Sequence, residues 1–163
     1  MSGDEADRVI RSLNAPTERA LAAVIRAVGI RVSDARGIRA HHIELSAGET
    51  RIIIAGGKNH CGSRNADTAR LPHAQMDRWL IGWLRDAKRS LRPGARVFPV
   101  TLKKLNQSLQ RTSGKRITSY SLRRLRLREI IDEHTNGRHT DWTAVAAQSM
   151  HKSTRALKST YQN

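Results

Sequence analysis

Apolar residues recur at helical spacing over most of the chain. A helix is predicted from Pro16 to Gly29, because apolar positions between them repeat about every 3.6 residues and glycine suits the left-handed backbone that ends many helices. Residues 1–15 are predicted to be a polar lead-in or linker. Ser33 is expected to cap a shorter helix that runs from Asp34 to Ile38.

The clearest strand signal is the segment from Arg51 to Ala55, which contains three consecutive isoleucines. The Gly56-Gly57 pair and the polar residues after it indicate a loop, and Thr68 to Leu71 is the expected return strand of a hairpin. Ile43 to Leu45 is a candidate third strand. The pattern therefore predicts one small antiparallel sheet.

Helical patterns resume after the sheet. One predicted helix begins at Pro72 and stops at the Pro93-Gly94 turn, and another covers Leu102 to Leu109. The last ten or so residues are also expected to be helical.

Two more helices are expected near the C-terminus. Ser119 or Ser121 is the predicted cap of a very basic helix that reaches about Glu133. Thr140 or Asp141 is predicted to open the next helix. The predicted fold class is mostly α with a small antiparallel β-sheet (α+β), and residues 16–163 are predicted to form a single domain.

The charge of the chain points to a polyanionic partner. The 163 residues include 30 Lys and Arg against 14 Asp and Glu, a formal net charge of +16. Nucleic acid is the commonest partner for such a surplus. The basic residues are spread along the chain and do not gather on one amphipathic helix, which disfavours an anionic membrane as the partner.

Cysteine content and hydropathy predict where the protein resides. Cys61 is the only cysteine, which excludes an intrachain disulfide and a CxxC-type zinc site. No apolar run approaches the roughly 18 residues of a membrane span. We expect an intracellular protein, in the cytoplasm or nucleoid of a prokaryote or phage or in the nucleus of a eukaryote.

The side chains available for chemistry are arginine, lysine, histidine and tyrosine. Acidic residues are scattered singly apart from Asp4-Glu5 and Asp132-Glu133, and there is no glycine-rich phosphate loop ending in GK[ST]. We therefore predict no metal and no cofactor. Breaking a phosphodiester without a metal needs a nucleophile, an acid for the leaving oxygen and cationic donors for the phosphoryl oxygens.

Short motifs that could supply these groups follow one another in a definite order. They are Gly29-Ile30-Arg31-Val32-Ser33-Asp34-Ala35, Ile52-Ile53-Ile54-Ala55-Gly56-Gly57-Lys58, Arg70-Leu71-Pro72, Val97-Phe98-Pro99, Ile117-Thr118-Ser119-Tyr120-Ser121-Leu122-Arg123-Arg124, and Ser149-Met150-His151 followed by Tyr161. In this order they resemble the boxes of the tyrosine recombinase (phage integrase) catalytic domain. Tyr120 stands where that family's second box, His-x-x-Arg, has its histidine.

The resemblance implies roles for three cationic side chains. Arg31 and Arg123 would grip the non-bridging oxygens of the scissile phosphate, since guanidinium forks match phosphate geometry. Lys58, in the predicted hairpin, would protonate the departing 5′-oxygen.

The resemblance also implies roles for the remaining members of the boxes. His151 would hydrogen-bond the phosphoryl oxygen, and Tyr120 would stand near the phosphate in place of the family's histidine. Tyr161 would attack to form a 3′-phosphotyrosyl enzyme, which stores the bond energy so that neither ATP nor metal is needed. The implied function is a site-specific DNA recombinase or integrase of a mobile element. Its implied partner is double-stranded DNA, on which it would self-associate as a dimer or tetramer.

Four further basic residues are predicted to contact the DNA backbone, because cationic side chains beside the boxes suit phosphate binding. They are Lys115, Arg116, Arg124 and Arg126.

Two alternative functions remain open. A catalytically decayed DNA-binding protein of the same fold is favoured by Tyr120 and by the ten-residue step from His151 to Tyr161, where the family has about nine. A basic RNA-binding or ribosome-associated domain would explain the charge but not the ordered boxes. A covalent protein–DNA adduct would discriminate among the three.

Overall fold

The structure is a computed structural model that describes residues 1–55, 66–72, 77–149 and 154–161. Its α-helices are α1 (Gly3–Arg11), α2 (Pro16–Val28), α3 (Val32–Arg36), α4 (Arg78–Ser90), α5 (Leu102–Thr112), α6 (Ser119–Glu133), α7 (Trp142–Gln148) and α8 (Thr154–Tyr161). Its strands are β1 (Ile43–Leu45), β2 (Glu49–Ala55), β3 (Ala66–Pro72), β4 (Thr135–Asn136) and β5 (His139–Thr140). The predicted fold class, mostly helical with a small antiparallel sheet, is confirmed.

Helix α2 lies at the centre of the main core and contacts α1, α3, α4, α5 and α6. Its stripe of Leu21, Val24, Ile25 and Val28 is buried, as the helical spacing predicted. The helix ends at Gly29, whose φ of 77° is left-handed and whose N–H donates to the Ile25 carbonyl at 2.8 Å. The chain therefore turns sharply at Gly29, directly before the first predicted box.

The sheet has the strand order β1–β2–β3, and both pairings are antiparallel. Ile52 lies opposite Ile43 on one side and Ala69 on the other. Ile52 and Ile54 are buried, since residues two apart in a strand share a face. Residues 56–65, which include the predicted position of Lys58, lie outside the described residues.

A second, smaller apolar cluster joins α7 and α8 to α6. Ile130, Val145, Ala146 and Leu157 are buried in it, and partly buried Tyr161 packs against it. We call these four residues the satellite core. The last helix is thus held against α6 by packing separate from the main core.

Residues 1–15, predicted as a polar lead-in, contain a packed helix. Ala6 and Ile10 of α1 and the following Leu13 are buried in the main core. Ser2 caps the helix by accepting a hydrogen bond from the Glu5 N–H at 3.2 Å. The lead-in prediction was wrong on this point, because apolar side chains at helical spacing dock α1 on the main core.

Several helix starts differ from the sequence-based predictions. Ser33 does not cap α3, because the helix already begins at Val32 with extended Arg31 as its first flanking residue. Pro72 ends β3, and α4 starts at Arg78 with the Asp77 carboxylate accepting from the Trp79 N–H at 2.9 Å.

The start of α6 is fixed by Thr118 rather than by Ser119 or by Ser121 alone. Thr118 Oγ1 accepts from the Ser121 N–H, and Ser121 Oγ accepts from the Thr118 N–H at 2.8 Å. Such a reciprocal box satisfies two backbone donors at once.

The hairpin of β4 and β5 was not predicted. Asn136 pairs with His139 across a two-residue loop in which Gly137 has a φ of 60°. Glycine at the first position of a two-residue loop is typical of such turns, but strands of only two residues leave no alternating pattern in the sequence. Among the described helices, none is long and apolar enough to cross a membrane.

Candidate active site

Arg123 lies on α6 and is fixed by the backbone at the end of α2. It is partly buried, and its Nε donates a hydrogen bond to the Gly29 carbonyl at 3.0 Å. Because Gly29 turns the chain there, its carbonyl reaches a side chain 94 residues away in sequence. The bond orients the guanidinium plane within the folded protein itself.

Arg31 follows two residues after Gly29 and is exposed at the start of α3. Burial lowers the pKa of Arg123 from its ordinary value, and the nearby positive charge of Arg31 lowers that pKa further. The charge of Asp34, in the first turn of α3, acts in the opposite direction. The two arginines therefore share one neighbourhood, and both remain cationic because guanidinium does not lose its proton in proteins.

Tyr161, the last residue of α8, reaches the same neighbourhood from the C-terminal side. Burial raises the pKa of the Tyr161 phenol, while the positive charges of Arg123, Arg124 and Arg128 oppose that rise. The neighbouring Tyr120 phenol raises the pKa of Tyr161, as burial does. The phenol is thus neutral at pH 7 and faces a cluster of cations.

Tyr120 lies in the first turn of α6, three residues before Arg123 and therefore on a neighbouring part of the helix surface. It is 63% exposed. Its phenol is close enough to act on the pKa of both Arg123 and Tyr161. Both tyrosines of the chain thus lie beside Arg123.

Arg31, Tyr120, Arg123 and Tyr161 therefore come together from α3, α6 and α8 around the Gly29 turn. The site is basic and open on the side of Arg31 and Tyr120. Within residues 1–55, 66–72, 77–149 and 154–161, no group of three or more His, Cys, Asp or Glu side chains is placed to hold a metal ion.

Comparison with solved structures decides the fold. The XerH site-specific recombinase bound to its difH substrate in a pre-cleavage complex superimposes with a TM-score of 0.73 at 17% identity, over 96% of this chain and 47% of that one. A post-cleavage complex of XerH with palindromic difH gives 0.71 and 19%, over 97% and 48%. XerA recombinase gives 0.69 and 16%, over 97% and 56%. The chain has the fold of a tyrosine recombinase catalytic domain.

The chain spans about half the length of these XerH and XerA chains. At the level of sequence, no protein-family model matches it, and no curated protein matches it. The likeness to recombinases is therefore carried by the course of the backbone.

Two of the predicted site residues are not among the described ones. Lys58 and His151 lie outside the described residues, so their roles stay predictions. Helix α7 ends at Gln148 and Tyr161 is the last residue of α8, whereas the ten-residue step from His151 begins outside the described residues and is not tested.

The predicted DNA-binding cations have differing surroundings in the recombinase fold. Arg124 is exposed on α6, and Lys115 is exposed in the turn before it, with a φ of 69°. Arg116 is exposed and pairs with Glu5 at 3.1 Å. The Arg126 side chain is only 12% exposed. As DNA contacts all four stay predictions.

The structure adds residues that the sequence reading left without a function. Asp34 and Arg128 act on the pKa values of Arg123 and Tyr161 respectively. Spacing could have identified Arg128, because it follows Arg124 by four residues and Tyr120 by eight, so that all three share a helix face. No sequence signal pointed to the Gly29 carbonyl, since any residue carries one.

Proposed function

We propose that this chain is the DNA-cleaving and rejoining domain of a site-specific tyrosine recombinase or integrase. The observation that carries the proposal is that Arg123 of α6 has both Arg31, just before α3, and Tyr161 of α8 as charged or phenolic neighbours. A phosphodiester that lies between a phenol and two guanidinium groups has its nucleophile and its charge stabilisation in one place.

In the proposed reaction, Tyr161 Oη attacks the scissile phosphorus while Arg31 and Arg123 bind the non-bridging oxygens. A phosphorus–oxygen bond forms to the tyrosine, and the bond to the 5′-oxygen breaks. The phenolic proton leaves to water or to a neighbouring base, and the 5′-oxygen takes up a proton. No net proton is consumed, and a 5′-hydroxyl of another strand can reverse the step without ATP.

Tyr120 is proposed to hydrogen-bond the phosphate rather than to act as a base. A phenol has no basic ring nitrogen of the kind that imidazole offers, but its hydroxyl is a good hydrogen-bond donor. Its 63% exposure leaves it accessible to a DNA backbone. Lys58 is proposed as the acid for the 5′-oxygen, and His151 as a further phosphate ligand.

Double-stranded DNA is the proposed partner, supported by the net charge of +16 and by the DNA substrates in the XerH complexes. Of the four proposed backbone contacts, Lys115 is exposed in the turn before α6 and Arg124 is exposed on α6. Arg116 and Arg126 would have to exchange carboxylate partners for phosphate. Self-association on DNA is proposed because strand exchange needs two cleaved duplexes.

The test is incubation with a nicked suicide duplex, which releases a short 5′-fragment on cleavage and so traps the covalent intermediate. Wild-type protein should form an adduct that survives denaturing electrophoresis. Tyr161→Phe should form none and still bind DNA, because only a hydroxyl is removed. Because a site-specific recombinase cleaves only at its target sequence, the duplexes should come from a library of randomised sequences.

A non-catalytic DNA-binding role would give a different result. Tyr120, in place of histidine, is the feature that favours this second function. The non-catalytic role predicts salt-sensitive DNA binding and no covalent adduct with any duplex of the library. A binding titration in which the protein prefers RNA to duplex DNA would contradict both proposals.

A further inference from the structure

The side-chain amide of Gln148, the last residue of α7, bridges two groups at the end of α6. Its Nε2 donates to Glu133 Oε2 at 2.8 Å, and its Oε1 is hydrogen-bonded to His134 Nε2. We call this pair of bonds the Gln148 bridge. It fixes the end of α7 to α6 through polar contacts that lie outside the satellite core.

The Gln148 bridge continues toward the candidate active site. Glu133 Oε1 accepts from Arg126 Nη1 at 2.8 Å. The stem of Arg126 packs on the Gly29 turn, where its Cγ lies 3.2 Å from the position a Cβ on Gly29 would take. The Gly29 carbonyl holds Arg123. Contacts therefore run without a gap from the end of α7 to the arginine beside Tyr161.

Apolar packing alone does not fix the orientation of α8, the helix that carries Tyr161. Helix α8 packs on α7, and α7 packs on α6. The satellite core between them has four buried residues, and apolar packing is non-directional. Hydrogen bonds depend on angle as well as distance, so an amide held at both ends limits sliding and rotation of α7.

We propose that Gln148 is a positioning residue that sets α7, and through it α8, so that Tyr161 is held against Arg123. It is not a catalytic residue, because it touches Glu133 and His134 and not the reacting atoms. Its effect on DNA cleavage rests on the proposed function, whereas its effect on the place of Tyr161 does not.

The test is a charge exchange between the two partners. Gln148→Glu replaces the donor with a second carboxylate facing Glu133, so the bridge is broken by repulsion. Adding Glu133→Gln restores it, because the amide introduced on α6 can accept from Arg126 and donate to the carboxylate introduced on α7, while the net charge returns to that of the wild type. Both positions are exposed, so the variants should fold. Gln107→Glu, on an exposed part of α5, controls for the added negative charge.

Single-turnover adduct formation on a suicide duplex gives the first readout, with DNA affinity measured alongside. Gln148→Glu should slow adduct formation by about 10- to 100-fold, since a displacement of about 1 Å has an effect of that order. Its affinity should match that of Gln107→Glu, and the double variant should recover the wild-type rate. A wild-type rate for Gln148→Glu, or a double variant as slow as the single one, would overturn the proposal.

The second readout needs no catalysis. The 163-residue chain with tyrosine 13C-labelled at Cζ gives two side-chain resonances, one for each tyrosine, and Tyr161→Phe assigns them. Gln148→Glu should shift the Tyr161 resonance and its titration, leave Tyr120 less affected, and be reversed in the double variant. If wild-type protein forms no adduct, the proposed function fails while this measurement still judges the bridge. An unchanged Tyr161 resonance in Gln148→Glu would contradict the proposal that the Gln148 bridge positions Tyr161.

Discussion

At the residue scale, the orientation of Arg123 is set within the protein. A guanidinium donates from several nitrogens in one plane, so the bond from Nε to the Gly29 carbonyl restricts the orientation of the whole group. A group fixed before DNA binds spends less reorganisation energy in the transition state. An ammonium group at this position has no such plane.

Arg123→Lys is therefore expected to slow adduct formation by about 10²–10³-fold, the usual effect of removing one transition-state donor. DNA affinity should change little, because the positive charge is kept. Arg111→Lys, at an exposed position of α5, is the matched control and should react like wild type. A wild-type rate in Arg123→Lys would remove this arginine from the site.

Alanine substitutions at two glycines with left-handed backbones, Gly29 and Gly48, test how closely the Gly29 turn packs on Arg126. Gly29 has a φ of 77° and Gly48 a φ of 89°, so alanine costs about 1–2 kcal/mol of backbone strain at either position. Only Gly29→Ala adds crowding, because its Cβ would meet Arg126 Cγ at 3.2 Å, whereas a Cβ on Gly48 has nothing within 4 Å. Urea denaturation should show the larger loss for Gly29→Ala, by about 1 kcal/mol. Equal losses would contradict the close contact.

The raised pKa of Tyr161 predicts a loss of stability in alkali. A phenol whose pKa is higher in the folded state stabilises the fold below its unfolded pKa of about 10, and this contribution disappears as the pH rises through the folded pKa. Between about pH 9 and pH 11, wild-type protein should therefore lose more stability than Tyr161→Phe. Parallel losses in urea denaturation would mean that Tyr161 is not held in a buried setting.

At the scale of elements, the sequence predicted helices and strands where one face is apolar and failed where a side chain decides the boundary. The stripe of α2 and the isoleucines of β2 were identified by period alone. The start of α4 was misplaced because proline suits both the first turn of a helix and the end of a strand. Here Pro72 belongs to β3, where it pairs with Glu49 of β2. Helix α1 was missed although Ala6, Ile10 and Leu13 stand at helical spacing, because the charged residues between them made the segment read as polar.

Helix α1 is also held by charge, which gives an element-scale prediction. Arg26 of α2 makes two hydrogen bonds of 2.6 Å to Glu129 of α6, and its Nε lies 3.3 Å from Asp7 of α1. Its side chain is 14% exposed, so the pairing is poorly screened.

Arg26→Met should lower the free energy of unfolding by about 1.5–3 kcal/mol, the range for hydrogen bonds to charged groups. Arg51→Met is the matched control, because Arg51 pairs with Glu44 in a more exposed place and should lose about 0–1 kcal/mol. Both are measured by urea denaturation. Equal losses would contradict a structural role for the Arg26 pairing.

At the scale of the whole molecule, the order of the boxes predicted more of the site than their separate residues did. The boxes singled out Arg31, Tyr120, Arg123 and Tyr161, and the fold makes the other three neighbours of Arg123, while their roles stay predictions. The Gly29 carbonyl and the Gln148 bridge could not be predicted, because backbone atoms and a lone glutamine leave no pattern in a sequence. The net charge of +16 indicated a polyanion and could not distinguish cleavage from binding.

The central claim is that Tyr161 becomes covalently joined to DNA, and peptide mapping of the trapped adduct tests it most directly. Trypsin separates the two tyrosines, since Tyr120 lies in the peptide 117–123 and Tyr161 in the peptide that follows Lys158. After nuclease digestion, mass spectrometry should find the nucleotide on the Tyr161 peptide alone. A nucleotide on the Tyr120 peptide, or no modified peptide at all on a cleavable library, would contradict the account.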